Sequence, residues 1–402
     1  MNDPSSFYNN ANTTSEEQVK TIPVPVEIVS EQEMAFIEAA LASTRPLLSS
    51  TSSSSSLSSS PARLALVSAL PSILSPLRRP TGSFHSTACF RPLPAPPDIE
   101  DSAGSSRPKS LLHQFRSRRG LTVTDITATE WCEKQMEFVL LHGKPRRTEA
   151  MKAGSDRHTQ LEKEVGEKVE VQIKSVEDSW AVKFMNFIVG ANQLMFEGLT
   201  RELPVIGVVE GVWMIGVVDE IRMPVNEATL NPILVDTKTR YKATLPSEAQ
   251  KRNARLQLMC YKYLWDNLVA DTFPTDHFFN HFNLNPLYTL SGEVKEYIAS
   301  LGFHAKTLED VFTYFRDACC LLSPSQGQLL LRYELQSDHS LLEEYHFSYD
   351  ALWFKIQVQE CLKFWLGERD ANYVSQDERW KCQFCAFTAK CPLTATSNKR
   401  AE

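Results

Sequence analysis

Val212-Trp213-Met214-Ile215-Gly216-Val217-Val218-Asp219-Glu220 and Pro232-Ile233-Leu234-Val235-Asp236-Thr237-Lys238-Thr239-Arg240 are the two stretches on which the fold turns. Each is a short apolar run that ends in charge. Apolar runs of this length, bounded by turn residues, read as strands. The first extends to Met223 and follows a similar run from Arg201 to Val209. Glu210-Gly211 lies between them, so the pair reads as a hairpin with a tight turn. The second, Pro232 to Thr239, reads as a third strand with Ile233, Leu234 and Val235 buried. Side chains two apart on a strand point the same way, so Asp236 and Lys238 project together. Asp219 lies toward the end of its own strand.

Helical patterns surround these strands. Thr124 or Asp125 can cap a helix carrying Trp131, Cys132 and Phe138, which ends before Gly143. A second helix runs from Thr148 to Val165 and holds Gly154, His158 and Glu162. The last two are four apart and share a face. A third, Glu177 to Phe196, has Trp180, Phe184, Phe187, Ile188 and Ala191 on its apolar stripe. A long helix follows the third strand, from Ser247 to Val269, opened by Pro246. The remainder reads as a helix around Thr307 to Leu321, strands Leu329 to Leu335 and Tyr345 to Tyr349, and a helix from Ala351 to Trp365. No internal repeat is present. The order predicts an α/β fold, a mixed central sheet flanked by helices. Order is expected to begin near Leu121.

Bulk composition bounds the reading. The 402 residues allow one large domain or two small ones, and 42% hydrophobic content allows a sizeable core. The net charge of -7 gives no global basic character, although a local basic groove can sit on an acidic protein. No apolar run reaches the roughly 18 residues a membrane span needs, so no membrane partner is expected. Nine cysteines without a secretory signal point to a reducing compartment. Residues 1 to 108 differ from the rest. Ten of the twelve residues from Ser49 to Ser60 are serine, so this stretch cannot bury enough apolar area to order itself. Ala39 to Pro97 lacks Asp and Glu but holds Arg45, Arg63, Arg78, Arg79 and Arg91. That composition fits an organelle transit peptide or a plain linker, although Asp3, Glu16 and Glu17 precede it. The basic Arg116-Ser117-Arg118-Arg119 cluster fits a nuclear address.

Two carboxylates on neighbouring strands can share a hard cation such as Mg²⁺. The cation can polarise a phosphodiester and activate a water. A lysine beside it can position that water and neutralise developing negative charge. Asp219, Asp236 and Lys238 supply these parts, although Asp-x-Lys taken singly also fits a turn carboxylate beside a surface ion pair. Glu202 and His158 are further candidate ligands. Gln257 and Tyr261, four apart on the helix after Lys238, could order the water, a phosphate or a base. Lys251, Arg252 and Arg255 could form a basic face for a phosphate backbone, or simply a solvated one. Trp180, Phe184 and Tyr241 are candidates for base stacking that read equally as core aromatics. A second centre comes from Cys382-x2-Cys385-x5-Cys391, with Cys132 as an upstream partner. Thiolates so spaced converge on one soft metal centre, and the spacing suits Zn²⁺ as well as iron-sulfur. Cys89, Cys260, Cys319, Cys320 and Cys361 read as tail or core residues.

Taken in order, these residues resemble the RecB-like branch of the PD-(D/E)xK nucleases. Within it they resemble the exonuclease V family of single-strand DNA exonucleases, in a fungal-type mitochondrial or nuclear form. The run begins at Leu121-Thr122-Val123-Thr124-Asp125 and Trp131-Cys132. It continues through Gly154-x3-His158, Arg201-Glu202, Gly216-Val217-Val218-Asp219-Glu220 and Asp236-Thr237-Lys238-Thr239-Arg240. It ends with Gln257-x3-Tyr261-Lys262-Tyr263 and Trp380-Lys381-Cys382-x2-Cys385-x5-Cys391. The resemblance implies a restriction-endonuclease-like core over 121-395, closed by a C-terminal cysteine-ligated segment, with 396-402 as a tail. It implies a [4Fe-4S] cluster on Cys132, Cys382, Cys385 and Cys391. It also implies Mg²⁺, or Mn²⁺ in its place, on Asp219 and Asp236 with His158 and Glu202. Asp219, Asp236, Lys238, Gln257 and Tyr261 would form the catalytic set. The implied reaction is hydrolysis of single-stranded DNA from an end, the 5′ end favoured, releasing short oligonucleotides in mitochondrial or nuclear DNA maintenance. A monomer working beside a single-strand-binding protein is expected. Many relatives have glutamate where Asp236 stands. Two other readings remain open: a nuclease subunit that needs a separate helicase, and a zinc-stabilised nucleic-acid binding module without catalysis. No Gly-x4-Gly-Lys-Ser/Thr loop is present to drive unwinding.

Overall fold

The chain enters the fold through a short helix, α1 (Leu111–Arg116), and a two-residue strand, β1 (Leu121–Thr122). Helices α2 (Val123–Trp131), α3 (Glu133–His142), α4 (Glu149–Val165) and α5 (Val176–Glu197) follow. Then come the hairpin β2 (Leu199–Val209) and β3 (Val212–Arg222), strand β4 (Ile233–Arg240) and the long helix α6 (Glu248–Val269). Helices α7 (Thr275–His281), α8 (Gly292–Ser300) and α9 (Leu308–Cys320) lead to a second hairpin, β5 (Gln328–Leu335) and β6 (Leu341–Ser348). Helix α10 (Ala351–Leu366), a 3-10 helix (Gln376–Phe384) and α11 (Pro392–Ala395) complete it. This computed structural model describes residues 110–166, 169, 171–224 and 231–395. The expected targeting stretch, Cys89 and the tail 396-402 lie outside the described residues.

β3 organises the sheet. It is buried from Val212 to Ile221, so both of its faces are covered. β2 pairs antiparallel along its whole length, from Leu199↔Arg222 to Val209↔Val212. Glu210 and Gly211 both have positive φ, 48° and 79°, which matches the hairpin turn to the strand twist. On the other edge β3 has two partners in succession. β1 lies parallel at Met214 and Ile215, and β4 lies antiparallel at Glu220 to Arg222. Between these contacts, Gly216 to Asp219 lie where the two neighbours diverge. β4 then pairs parallel with β5, and β5 antiparallel with β6, which completes a six-stranded mixed sheet. The expected α/β class, a mixed central sheet flanked by helices, is what the chain forms.

Helix α6 packs along β2, β3, β4 and β5, while α5 packs on β2 and on α9. The closest approach is at Gly216. A Cβ there would lie 2.6 Å from Tyr261 Cε1 and 2.8 Å from Val123 Cγ2. Of the two readings open for Trp180 and Phe184, the core one holds: they are 3% and 2% exposed. They meet the rings of Phe278, Phe312 and Phe315 from α7 and α9, because the apolar stripe of α5 turns inward.

Several local expectations change. Order begins before Leu121: α1 is docked by Arg116, which grips both oxygens of buried Asp125 at 2.9 Å. The single helix expected through Cys132 is two helices. Cys132 is extended, with φ -169° and ψ 109°, and its thiol accepts from Gln135 N at 3.4 Å to cap α3. Thr122, rather than Thr124 or Asp125, caps α2, with Asp125 closing the capping box. β6 begins at Leu341 rather than Tyr345, and α7 and α8 occupy a stretch with no expected element. Among the described residues no helix is long and apolar enough to cross a membrane.

Candidate active site and cysteine pocket

Asp219 and Asp236 come together where β3 and β4 join. Glu220 pairs with Val235, so the next residue on each strand opens into the splay. Asp219 Oδ2 accepts from Thr237 N at 3.3 Å. Glu202 stands on β2 between the paired positions Arg201↔Glu220 and Leu203↔Val218, opposite Asp219. Its φ is +50°, a left-handed conformation that costs a non-glycine residue about 1–3 kcal/mol. Helix α4 lowers His158 onto the pair. Its Nδ1 is 3.2 Å from Glu202 Oε1 and 3.7 Å from Asp219 Oδ2. One donor atom from each of His158, Glu202 and Asp219 lies within 4.8 Å of the others.

The charges here are concentrated. Asp236 is fully buried, and neither of its carboxylate oxygens has a well-aligned hydrogen bond among the described residues. Lys238 Nζ lies 3.1 Å from Oδ1 as an ion pair. Burial pushes the Asp236 carboxyl up to about 7, Lys238 pulls against that, and the neighbouring Asp219 adds to the rise. Burial opposes a charged His158, but Asp219 and the Glu202 hydrogen bond outweigh it and lift the imidazole to about 10. An ionised carboxylate without hydrogen bonds is expensive to bury. A divalent cation would relieve it, and this mainly oxygen donor set could hold one.

A relay leads from the pair into α6. Lys238 Nζ donates to Gln257 Oε1 at 2.9 Å, and Gln257 Nε2 donates to Tyr261 Oη at 3.1 Å. Tyr261 is fully buried against Gly216. Gln257 and Tyr261 therefore bear on the site by holding Lys238. The basic run on α6 does not form an open phosphate track. Arg252 binds Glu130 at 2.6 Å and Glu378 at 2.8 Å, Lys251 pairs with Glu343, and Arg255 covers Trp353. Inter-element acids and rings outcompete solvent for these cations. Tyr241 remains exposed just past β4, at 64%. Nothing in the sequence marks Tyr333, which pairs with Lys238 across β4 and β5. On a strand headed by Leu329, Leu330 and Leu331 it reads as core.

The second centre gathers four thiols. Cys132, Cys382, Cys385 and Cys391 line one pocket with Gln135, Phe138 and Lys381. All four are free of disulfides. The terminal segment is fixed to α2 and α3 by Trp380 edge-on to Trp131 and by Phe387 beside Phe138. Lys381 lies over the Trp131 ring and donates to the Trp131 carbonyl at 3.2 Å. Thr388 Oγ1 donates to the carbonyls of Cys382 and Cys385. Burial pushes the Cys132 thiol up to about 11, with Cys385 and Cys382 adding to the rise. Four soft donors from opposite ends of the described chain share this pocket, although among the described residues only His158, Glu202 and Asp219 bring three ligand atoms within 4.8 Å of one another. Cys260, Cys319 and Cys361 are buried, while Cys320 is exposed.

The fold and site define a mixed α/β protein with buried acids at the fork of its sheet, and comparison with known proteins narrows the class. The chain belongs to the exonuclease V family. The family profile described as "Exonuclease V - a 5' deoxyribonuclease" matches residues 110–232, 225–319 and 312–392. The chain is 31% identical over 324 residues to "Exonuclease V" of Danio rerio, covering 77% of this chain and 81% of that protein. A shorter match, 34% identity over 71 residues, is to "Exonuclease V, mitochondrial" of Candida dubliniensis. It covers 18% of this chain and 11% of that protein. The protein is accordingly a nuclease, a hydrolase of the phosphodiester bonds of DNA.

Proposed function

We propose that this chain hydrolyses single-stranded DNA from an end, the 5′ end favoured, and releases short oligonucleotides. The observation that carries the proposal is the meeting of Asp219, Asp236 and Lys238 at one strand fork, where the Asp236 carboxylate is fully buried with the Lys238 ammonium 3.1 Å from Oδ1. Asp219 and Asp236, with Glu202 and with His158 once it gives up its proton, would hold Mg²⁺ or Mn²⁺. When bound, that cation supplies Lewis acidity to the phosphodiester and lowers the pKa of an attacking water. Lys238 places a positive charge where negative charge develops on the phosphate. Gln257 fixes the Lys238 ammonium, and Tyr261 fixes Gln257. Cys132, Cys382, Cys385 and Cys391 would carry a [4Fe-4S] cluster that joins the two ends of the 121-395 nuclease domain. The mitochondrial designation of the Candida relative supports a mitochondrial address, with the nucleus as the alternative. A single-strand-binding protein would hold the substrate open for a monomeric enzyme.

The test is cleavage of oligonucleotides labelled at either end, single- or double-stranded, with and without Mg²⁺. The purified chain alone should shorten single strands from the 5′ label, only with the cation. Absence of cleavage without a helicase would move the chain to the subunit class. Fresh anaerobic protein should be brown and contain iron. A colourless protein carrying zinc would remove the cluster assignment.

A further inference from the structure

Tyr333 is 2% exposed, and its hydroxyl has no hydrogen-bond partner among the described residues. It sits on β5 in register with Lys238 on β4 and with Glu343 on β6. Adjacent positions in register share a face, so the ring stands beside Lys238 and diagonal to Asp236. A buried hydroxyl without a partner costs stability that a phenylalanine would not. Two acceptor groups on the same face are short of well-aligned donors, the Asp236 carboxylate and Glu343 Oε2, and the second of these keeps Lys251 at 3.3 Å. The present neighbour of Asp236 is the Lys238 ammonium, the group that must turn toward the phosphate if it is to neutralise charge there. When it turns, Asp236 Oδ1, the oxygen that faced the ammonium, loses its donor, even with a cation on the other oxygen. A phenolic O–H is a donor that can replace it without competing for the phosphate.

We propose that Tyr333 is a positioning residue whose hydroxyl donates to Asp236 when Lys238 turns to the scissile phosphate. The inference rests on Asp219, Asp236 and Lys238 being the catalytic centre. The hydroxyl is too enclosed to touch DNA, so it acts through Asp236. Burial is also the main reason its own ionisation is pushed far up, with the Asp236 charge contributing, and the group stays a donor throughout.

The experiment compares full-length Tyr333→Phe and Lys238→Ala with the parent protein. Steady-state kinetics are measured on an end-labelled single-stranded oligonucleotide with Mg²⁺, and thermal unfolding without divalent cations. Loss of a hydrogen bond to a charged group should lower the kcat of Tyr333→Phe about tenfold or more. KM should be unchanged, and Tm equal or higher. Unchanged kcat overturns the proposal. A fall in Tm alongside kcat overturns it too, since the hydroxyl would then serve the fold. A rise in KM at constant kcat would mean that it contacts substrate, which also overturns it. Full activity of Lys238→Ala rejects the catalytic centre itself, whereas an inactive Lys238→Ala beside a fully active Tyr333→Phe rejects Tyr333 alone.

Discussion

At the residue scale, the site concentrates unfavourable features in a few positions. Among the described residues, Asp236 is buried without a well-aligned hydrogen bond, Tyr333 carries an unmatched hydroxyl, and Glu202 holds a left-handed backbone. A divalent cation should therefore stabilise the protein: at a hundredfold excess over its Kd, binding adds about 2.7 kcal/mol to unfolding. Mg²⁺ should raise Tm of the parent protein and leave Tm of Asp236→Asn unchanged, by differential scanning fluorimetry. The same substitution should abolish cleavage. Gly216 makes a different demand. Gly216→Ala would place a methyl group against the Tyr261 ring and Val123, which should destabilise by about 1–3 kcal/mol. Cleavage should fall with it, because Tyr261 anchors the relay to Lys238. Urea unfolding checks the first effect and oligonucleotide kinetics the second. The Asp219, Asp236 and Lys238 cluster was legible because strand alternation alone puts an acid and a lysine two apart on one face. The Glu202 conformation and Tyr333 were not, since a lone φ and an aromatic on an apolar strand leave no mark in the sequence.

At the element scale, Arg252 joins three pieces of the molecule. It links α6 to Glu130 on α2 and to Glu378 in the 3-10 helix that leads to the cysteines. Lys381 adds a second cation to Glu378 at 2.6 Å. The Arg252 hydrogen bond, with help from Lys381, holds the Glu378 carboxyl down to about 2. A carboxyl whose folded pKa lies below its unfolded value stabilises fully above the unfolded pKa, and that stabilisation fades as pH falls through the folded one. The Glu378 contribution should thus be complete above the ordinary carboxylate range and vanish toward pH 2. Glu378→Gln should flatten that part of the acid limb in an equilibrium unfolding series. An unchanged limb would show the ion pairs to be energetically silent, as partly exposed pairs can be. The periodic elements α4, α5, α6, α9 and α10 were legible from spacing and caps, because long amphipathic runs dominate their own conformation. The break at Cys132 was not. Helix propensity runs through it, and tertiary contact with the terminal segment makes the extended residue worthwhile. Arg252 likewise looks like a surface cation until Glu130 and Glu378 are placed beside it.

At the scale of the whole molecule, the two ends of the described chain close on each other. Trp131 and Lys381, 250 positions apart, share a hydrogen bond beside the four thiols. Cys132→Ser should therefore act far from the pocket. It should lower Tm, increase protease cleavage within 376–391, and reduce cleavage of DNA although no acidic residue has changed. A variant with unaltered Tm and iron content would dissociate Cys132 from the proposed cluster. The closure also has a consequence for biosynthesis. The ribosome releases residues at about 5–20 per second, so α2 waits roughly 12–50 s for the segment that covers it. Throughout that interval the nascent chain shows Trp131 and Phe138 without their Trp380 and Phe387 partners. A chaperone that shields this face until termination would be needed most when translation is slow.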